Sequence, residues 1–345
     1  MVDLRSDTVS RPSAAMREVM KVAEVGDDVL GDDPTVLKLQ DMGAKMLGME
    51  AALFVPSGTM SNAIAIKTHT QPGDEIITES GSHIYHYEGG GYAALSGCSI
   101  KLIEGVNGTM SPEQVARSVR KAAGSQSHFP DASLVCLENT TNRGGGVCWE
   151  QDSIDAVALV AHERDCAVHM DGARLFNASV NTGIDVERIV RDCDSVSVCL
   201  SKGLGAPVGS LLAGSQAFID TAHRWRKMFG GGMRQSGVLA AAGIFALENN
   251  IERLREDHVR TKKLASELDE MQSFAVDMET VQTNIVYIDV DKSRFSGAEV
   301  VESLAASGVE LFATDSHRLR AVTHLDVDDD GINQAIEAFT ELDKF

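Results

Sequence analysis

A chain of 345 residues that is 43% hydrophobic and 24% charged has the make-up of an ordinary globular protein, so disorder, collagen-like fibre and coiled coil are excluded. At about 150 residues per domain, the length suggests two domains of unequal size. Lysine and arginine number 31 against 51 aspartates and glutamates, a net charge of −20; such a surface repels phosphate backbones and anionic lipid, so neither nucleic acid nor membrane is expected as a partner.

The chain opens Met1-Val2-Asp3-Leu4-Arg5, amphipathic from the start and without the apolar core of a leader. The longest apolar stretch, Val238 to Leu247, is too short to span a bilayer and is interrupted by Gly243. Cys98, Cys136, Cys148, Cys166, Cys193 and Cys199 form no C-x-x-C pair, and several lie in apolar runs. That is the usage of a reduced, cytoplasmic protein, with neither a disulfide frame nor a metal site.

Short apolar runs alternate with helical patterns. Ala51 to Val55 reads as a strand, followed by a helix over Met60 to Thr68. Asp74 to Thr78 is the next strand, and Val115, Val119 and Ala122 have helical spacing. Leu134 to Leu137 is a strand, and Ile154, Val157, Ala158 and Ala161 share one helix face. Ala167 to Met170 and Ser195 to Leu200 are two more strands. This alternation predicts an α/β fold, a mostly parallel sheet with helices on both faces. A long helical region runs from Phe218 to Met271, broken by Gly230-Gly231-Gly232. Thr283 to Val290 then reads as a strand, Val301 to Ala305 as a helix, Arg320 to Leu325 as a strand and Ile332 to Leu342 as the last helix. The expected division is a large domain over residues 1–250 and a small C-terminal α/β domain over residues 251–345.

Open parallel sheets bind ligands at the carboxyl ends of their strands, and five such ends carry chemistry. Ser57-Gly58-Thr59 stands where a helix N-terminus would offer free amides to a phosphate, or where Ser57 merely caps the helix. His83 follows the second strand, placed to stack on a flat ring or move a proton. Asp171 ends an apolar strand, and Arg174 is three residues on; the two could pair, or serve a ring nitrogen and a carboxylate. Lys202, in Ser201-Lys202-Gly203, ends the next strand, where burial would make its amine nucleophilic, or from which it merely snorkels out of a turn. Arg320 opens a strand of the small domain and could reach across a cleft as an anion clamp. Phosphate seat, histidine, acid, lysine and late arginine, in that order, are the parts of a pyridoxal phosphate site.

The chain resembles the low-specificity L-threonine aldolases. The resemblance rests on Asp3-Leu4-Arg5-Ser6-Asp7-Thr8-Val9, Val25-Gly26-Asp27-Asp28, Pro56-Ser57-Gly58-Thr59, Leu137-Glu138-Asn139-Thr140, Asp171-Gly172-Ala173-Arg174, Ser201-Lys202-Gly203-Leu204-Gly205, Gly230 to Gln235 and Arg320-Ala321-Val322-Thr323-His324-Leu325. It implies pyridoxal phosphate fold type I, with a seven-stranded, mostly parallel sheet, and cleavage of L-threonine, L-allo-threonine and related β-hydroxy-α-amino acids to glycine and an aldehyde. It further implies that Lys202 carries the cofactor, Asp171 pairs with its ring nitrogen, His83 stacks on the ring, and Gly58 and Thr59 hold the phosphate. Arg234 with Lys227 would add a phosphate contact from a neighbouring subunit. Ser6, Arg174 and Arg320 would bind the substrate carboxylate. His83 and His128 would lie near the β-hydroxyl, the base being one of them or a water. The family is typically a homotetramer, a dimer of dimers with shared active sites. The chain departs from the family pattern at Leu30, where a tyrosine near a neighbouring site is usual, at Thr141, at the glycine loop Asn142 to Gly146, and at Cys148-Trp149.

Overall fold

The computed structural model describes every residue from Met1 to Phe345. The first part of the chain runs β1 (Val2–Asp3), α1 (Ala14–Lys21), α2 (Pro34–Met46), β2 (Ala51–Val55), α3 (Gly58–His69), β3 (Glu75–Glu79), α4 (His83–His86), α5 (Gly91–Ala94), β4 (Ser99–Ile103) and α6 (Pro112–Ser118). It continues β5 (Ala132–Glu138), α7 (Gln151–His162), β6 (Ala167–Asp171), α8 (Leu175–Thr182), α9 (Val186–Val190), β7 (Ser195–Cys199) and β8 (Ser210–Gly214). Then come α10 (Gln216–Met228), α11 (Gly237–Asn249), α12 (Leu254–Asp269), β9 (Phe274–Ala275), β10 (Ile285–Val290), α13 (Gly297–Ala306), β11 (Val309–Glu310), β12 (Phe312–Asp315), β13 (Arg318–Val322) and α14 (Asp329–Asp343).

Seven strands form one sheet in the order β2-β8-β7-β6-β5-β3-β4. Only β8 runs against the others. The expected strands all form, and β5, β6, β7 and β8 are buried almost throughout because helices cover both faces. Two strands of the sheet, β4 and β8, were not anticipated. β4 lies at the sheet's edge, and its short alternating run is half exposed. β8 opens directly after Gly209, whose φ of +101° turns the chain back; a Cβ there would meet Phe54 at 2.5 Å.

The helix expected to reach Ala122 stops at Ser118, since Val119 is already extended. The long helical region is three helices. Gly230, at φ +83°, ends the first, and Asn250, whose side chain donates to the Leu204 carbonyl, ends the second. The apolar helix α11 lies inside the larger core, and no helix is long and apolar enough to cross a membrane.

The C-terminal layer is a four-stranded antiparallel sheet, β12-β13-β10-β9, under α12, α13 and α14. β1 pairs in parallel with β11, so Val2 and Leu4 join that core and the chain's start is tied to its end. Arg320 stands in the middle of β13, between Tyr287 and Phe312, and does not open the strand. The strand ends at Val322, short of the expected Leu325.

Candidate active site

The carboxyl ends of β2, β3, β5, β6 and β7 lie along one edge of the sheet, and the chemistry-bearing turns follow them. A cleft of about 450 Å³ opens there, lined by Ser6, His83, Asn142, Arg174, Lys202 and Arg320, with Tyr87 and Phe312 at its wall. Residues up to 315 positions apart in sequence meet in it, Arg5 and Arg320 among its framework.

Lys202 sits in the turn after β7, half-buried, and its amine has no hydrogen-bond or ionic partner, though it feels the charge of the buried Asp7. Its own carbonyl accepts from Gly205 and Ser10, which holds the turn. The start of α3 packs against the same strand end: a Cβ on Gly58 would lie 2.6 Å from Cys199 Sγ, so only glycine allows this approach. Ser57 Oγ caps the helix by accepting from the Met60 amide at 3.2 Å. The amides of Gly58 and Thr59 precede the helical ladder, at the positive end of the dipole.

Asp171 is buried, with Oδ1 accepting from the Ala173 amide at 3.1 Å and Oδ2 from Asn62 Nδ2 at 2.8 Å. It forms no pair with Arg174. The Arg174 guanidinium instead donates from Nε and Nη2 to the two oxygens of Asp7, each at 2.7 Å. Burial alone would raise Asp7, but the Arg174 charge and its hydrogen bonds outweigh it and hold the carboxyl at about 2. Arg174 therefore keeps its Nη1 edge for a ligand. Arg320 donates from Nη1 to Asn142 Oδ1 at 3.2 Å and from Nη2 to the Arg5 carbonyl at 3.1 Å, and its Nε is buried without a partner.

His83 Nδ1 lies 3.0 Å from Glu88 Oε1, which leaves Nε2 without a protein partner. Burial pulls His83 down, but the Glu88 hydrogen bond and the Asp171 charge win, and it rests above its ordinary value. The His83 amide donates to Glu138 Oε2, and the Asn142 amide to Glu138 Oε1, both at 2.6 Å. Burial, and then the neighbouring Asp171, push Glu138 up to about 7. Glu138 thus ties the histidine turn to the loop that supports Arg320.

Three expected residues are not brought to the cleft by this chain. His128 lies in the exposed loop before β5, at the amino end of that strand, whereas the cleft is at its carboxyl end. Lys227 and Arg234 lie near the glycine loop, where Arg234 pairs with Asp27 at 2.9 Å and is 58% exposed. Asp7, Glu88, Asn62, Glu138 and Asn142 carry contacts that sequence reasoning missed. Asn62 was detectable as a polar residue directly before the apolar run Ala63-Ile64-Ala65-Ile66 of α3, and Glu138 as a second acid ending an apolar strand. Asp7 lay in a noted motif but had no visible partner.

These groups suit one cofactor. An unpartnered amine, open helix amides, an imidazole and a buried carboxylate sit around one cleft, and Gly58 leaves the space that the approach requires. Such a site on such a sheet defines a pyridoxal-phosphate enzyme of fold type I. The model of the beta-eliminating lyase family matches residues 3–291. The chain is 44% identical over 343 residues to low-specificity L-threonine aldolase 1 of Arabidopsis thaliana, covering 99% of this chain and 96% of that one. It is 45% identical over 328 residues to the low specificity L-threonine aldolase of Escherichia coli K12, covering 95% of each. The structure of a threonine aldolase from Leishmania major superposes with a TM-score of 0.84 at 16% identity, covering 99% of this chain and 100% of the other. The chain belongs to the beta-eliminating lyase family, among relatives of the low-specificity L-threonine aldolases.

Proposed function

We propose that the chain is a pyridoxal-phosphate-dependent lyase that cleaves L-threonine, L-allo-threonine and related β-hydroxy-α-amino acids to glycine and an aldehyde, acetaldehyde from threonine. The observation that carries this is the convergence of Lys202, His83, Arg174 and Arg320 on one cleft. When bound, the cofactor takes up the electron pair left on Cα as the Cα–Cβ bond breaks.

The chain's residues do the rest. Lys202 would hold the cofactor through its side-chain amine. Asp171 pairs with the ring nitrogen, and the Gly58 and Thr59 amides beside Ser57 seat the phosphate. Arg174, Arg320 and Ser6 hold the substrate carboxylate and so choose which bond at Cα is positioned to break. His83 stacks on the ring and takes the β-hydroxyl proton at Nε2. Its hydrogen bond to Glu88 supports this role, because it keeps the proton on Nδ1 and, with the Asp171 charge, makes the imidazole a stronger base than an ordinary histidine. His128 can serve only from another subunit.

Lys227 and Arg234 are read as phosphate contacts given to a neighbouring subunit of a homotetramer with shared sites. The exposed apolar side chains of Val25, Leu30 and Met228 nearby support a covered surface there. Residues 1–250 and 251–345 are read as the two domains, and the cytoplasm as the location; six free, buried cysteines fit a reducing compartment.

The test is glycine and aldehyde release from L-threonine, L-allo-threonine and phenylserine, measured side by side. Release of both products in equal amounts is expected. Racemisation or keto-acid formation without glycine would overturn the reading.

A further inference from the structure

Behind the cleft, a chain of buried polar side chains runs away from Asp171 between α3 and the sheet, toward the amino ends of β6 and β7. Asn62 Nδ2 donates to Asp171 Oδ2 and to Glu88 Oε1, each at 2.8 Å. Asn62 Oδ1 lies 3.1 Å from His169 Nε2. His169 Nδ1 lies 2.8 Å from Ser195 Oγ, and Ser195 Oγ lies 2.8 Å from His69 Nε2. Asn62, His169 and Ser195 are buried to within 2% of completely, and His69 alone reaches the half-buried layer, stacked on Phe218.

The direction of every bond follows from the first. Ionised carboxylates only accept, so Asn62 must offer its NH2 group to Asp171 and Glu88. Its oxygen then needs a donor, which places a proton on His169 Nε2. A neutral His169 must accept at Nδ1, so Ser195 donates there. Ser195 has one proton, so it accepts from His69 Nε2–H. His169 must be neutral for this to hold, and His69 must carry a proton on Nε2. Burial first, with the neighbouring His69 opposing a second positive charge, holds His169 at about 3; burial holds His69 at about 4, although Asp194 pulls it up. Every donor in the series therefore points toward Asp171 and Glu88, and bonds aligned in one sense polarise one another.

We propose that Asn62, His169, Ser195 and His69 form a one-way hydrogen-bond relay that positions the Asp171 and Glu88 carboxylates for the cofactor ring and for His83. These are positioning residues, acting through Asp171 and Glu88. The geometry is specific for the purpose: one amide grips the carboxylate of Asp171 and the carboxylate that orients His83, whose oxygens and Nδ1 all lie within 4.8 Å of one another. An apolar residue at position 169 would leave the buried Asn62 oxygen without a donor and the amide less firmly held against the two carboxylates.

The proposal rests on the pyridoxal phosphate reading of the site, and the test separates the two. Nitrogen-15 spectra of the histidines report tautomers with or without cofactor. His169 and His69 are expected in the neutral Nε2–H form; His169 in the Nδ1–H form would overturn the relay. In a second arm, His169→Phe and Ser195→Ala are compared with His169→Gln, whose amide nitrogen and oxygen stand in for the two ring nitrogens. His169→Phe should weaken pyridoxal phosphate binding and lower kcat by about ten- to hundredfold with KM little changed, and His169→Gln should recover most of both. If His169→Phe does not fold, Ser195→Ala decides, with a loss of cofactor affinity expected while His169 keeps the Nε2–H form that Asn62 demands. Folded variants that bind cofactor and turn over like wild type would overturn the relay. A wild-type protein that takes up no pyridoxal phosphate would overturn the site reading instead, and the tautomers would still judge the relay.

Discussion

Asp7 grips Arg174 through two hydrogen bonds of 2.7 Å, from Nε to Oδ2 and from Nη2 to Oδ1, with both side chains almost wholly buried. Asn284 Nδ2 adds a third contact to Asp7 at 3.1 Å. The arginine is thereby held in one orientation with its outer edge on the cleft, and the first residues of the chain are bound to the loop after β6. Asp7→Asn should cost about 3 kcal/mol, because it leaves a buried guanidinium without its counter-charge. The pH dependence has a definite sign. Asp7 lies at about 2 against an ordinary 3.8, so its contribution is full above about pH 4 and is lost as pH falls toward 2. That loss is about 2 kcal/mol in wild type and should be missing in Asp7→Asn, as read by acid unfolding followed with circular dichroism.

His169 makes the fold sensitive in a milder pH range. It is fully buried and neutral, at about 3 against 6.5. The unfolded chain binds a proton there below pH 6.5 and the fold does not, so stability falls as pH drops from 6.5 toward 3. The groups facing this imidazole are Asn62, Ser195, His69 and Asp171. On the order of 4 kcal/mol is at stake, and His169→Gln should have the flatter profile of thermal midpoint between pH 7 and pH 5. Parallel profiles would contradict the assignment of this proton.

Arg320 reaches the cleft from the other sheet and is steadied by Asn142 and the Arg5 carbonyl. Arg320→Ala should raise KM for the amino acid about ten- to hundredfold, the worth of a charge-assisted hydrogen bond, and lower kcat less. Arg320→Lys should recover only part, since a single ammonium cannot replace the planar fork. An unchanged KM would remove Arg320 from carboxylate binding.

Gly58→Ala places a methyl 2.6 Å from Cys199 Sγ. Cys199 is buried, and Ser210 Oγ lies 3.3 Å from its sulfur, so neither side gives way freely. The variant should lose about 1–3 kcal/mol of stability from overpacking. It should also retain pyridoxal phosphate less tightly, as shown by dialysis and absorbance, because the start of α3 is displaced. Normal retention would place the phosphate elsewhere.

The sequence made the sheet legible where strands were short apolar runs with a polar end, and it placed Lys202, Asp171 and His83 at those ends, whereas Arg320 stands mid-strand in the smaller sheet. It could not show partners distant along the chain. Asp7 and Arg174 are 167 positions apart, and Asn62 and Asp171 are 109 apart. An acid near the N-terminus and an asparagine within a helix look unremarkable until the fold brings them together. β8 escaped because a strand antiparallel to its neighbours follows a glycine turn rather than a crossover helix. His128 lies outside the cleft because its loop enters β5 at the amino end of the strand, and Lys227 and Arg234 because they flank the glycine loop, where Arg234 pairs with Asp27.

The central claim is that Lys202, half-buried and without a partner in the cleft, bonds the cofactor. Purified protein incubated with pyridoxal phosphate should be yellow, and borohydride reduction followed by peptide mass mapping tests the bond directly. The account predicts a pyridoxyl group on Lys202 alone, absent in Lys202→Ala. A label on another lysine, or no label on protein that binds the cofactor, would contradict it.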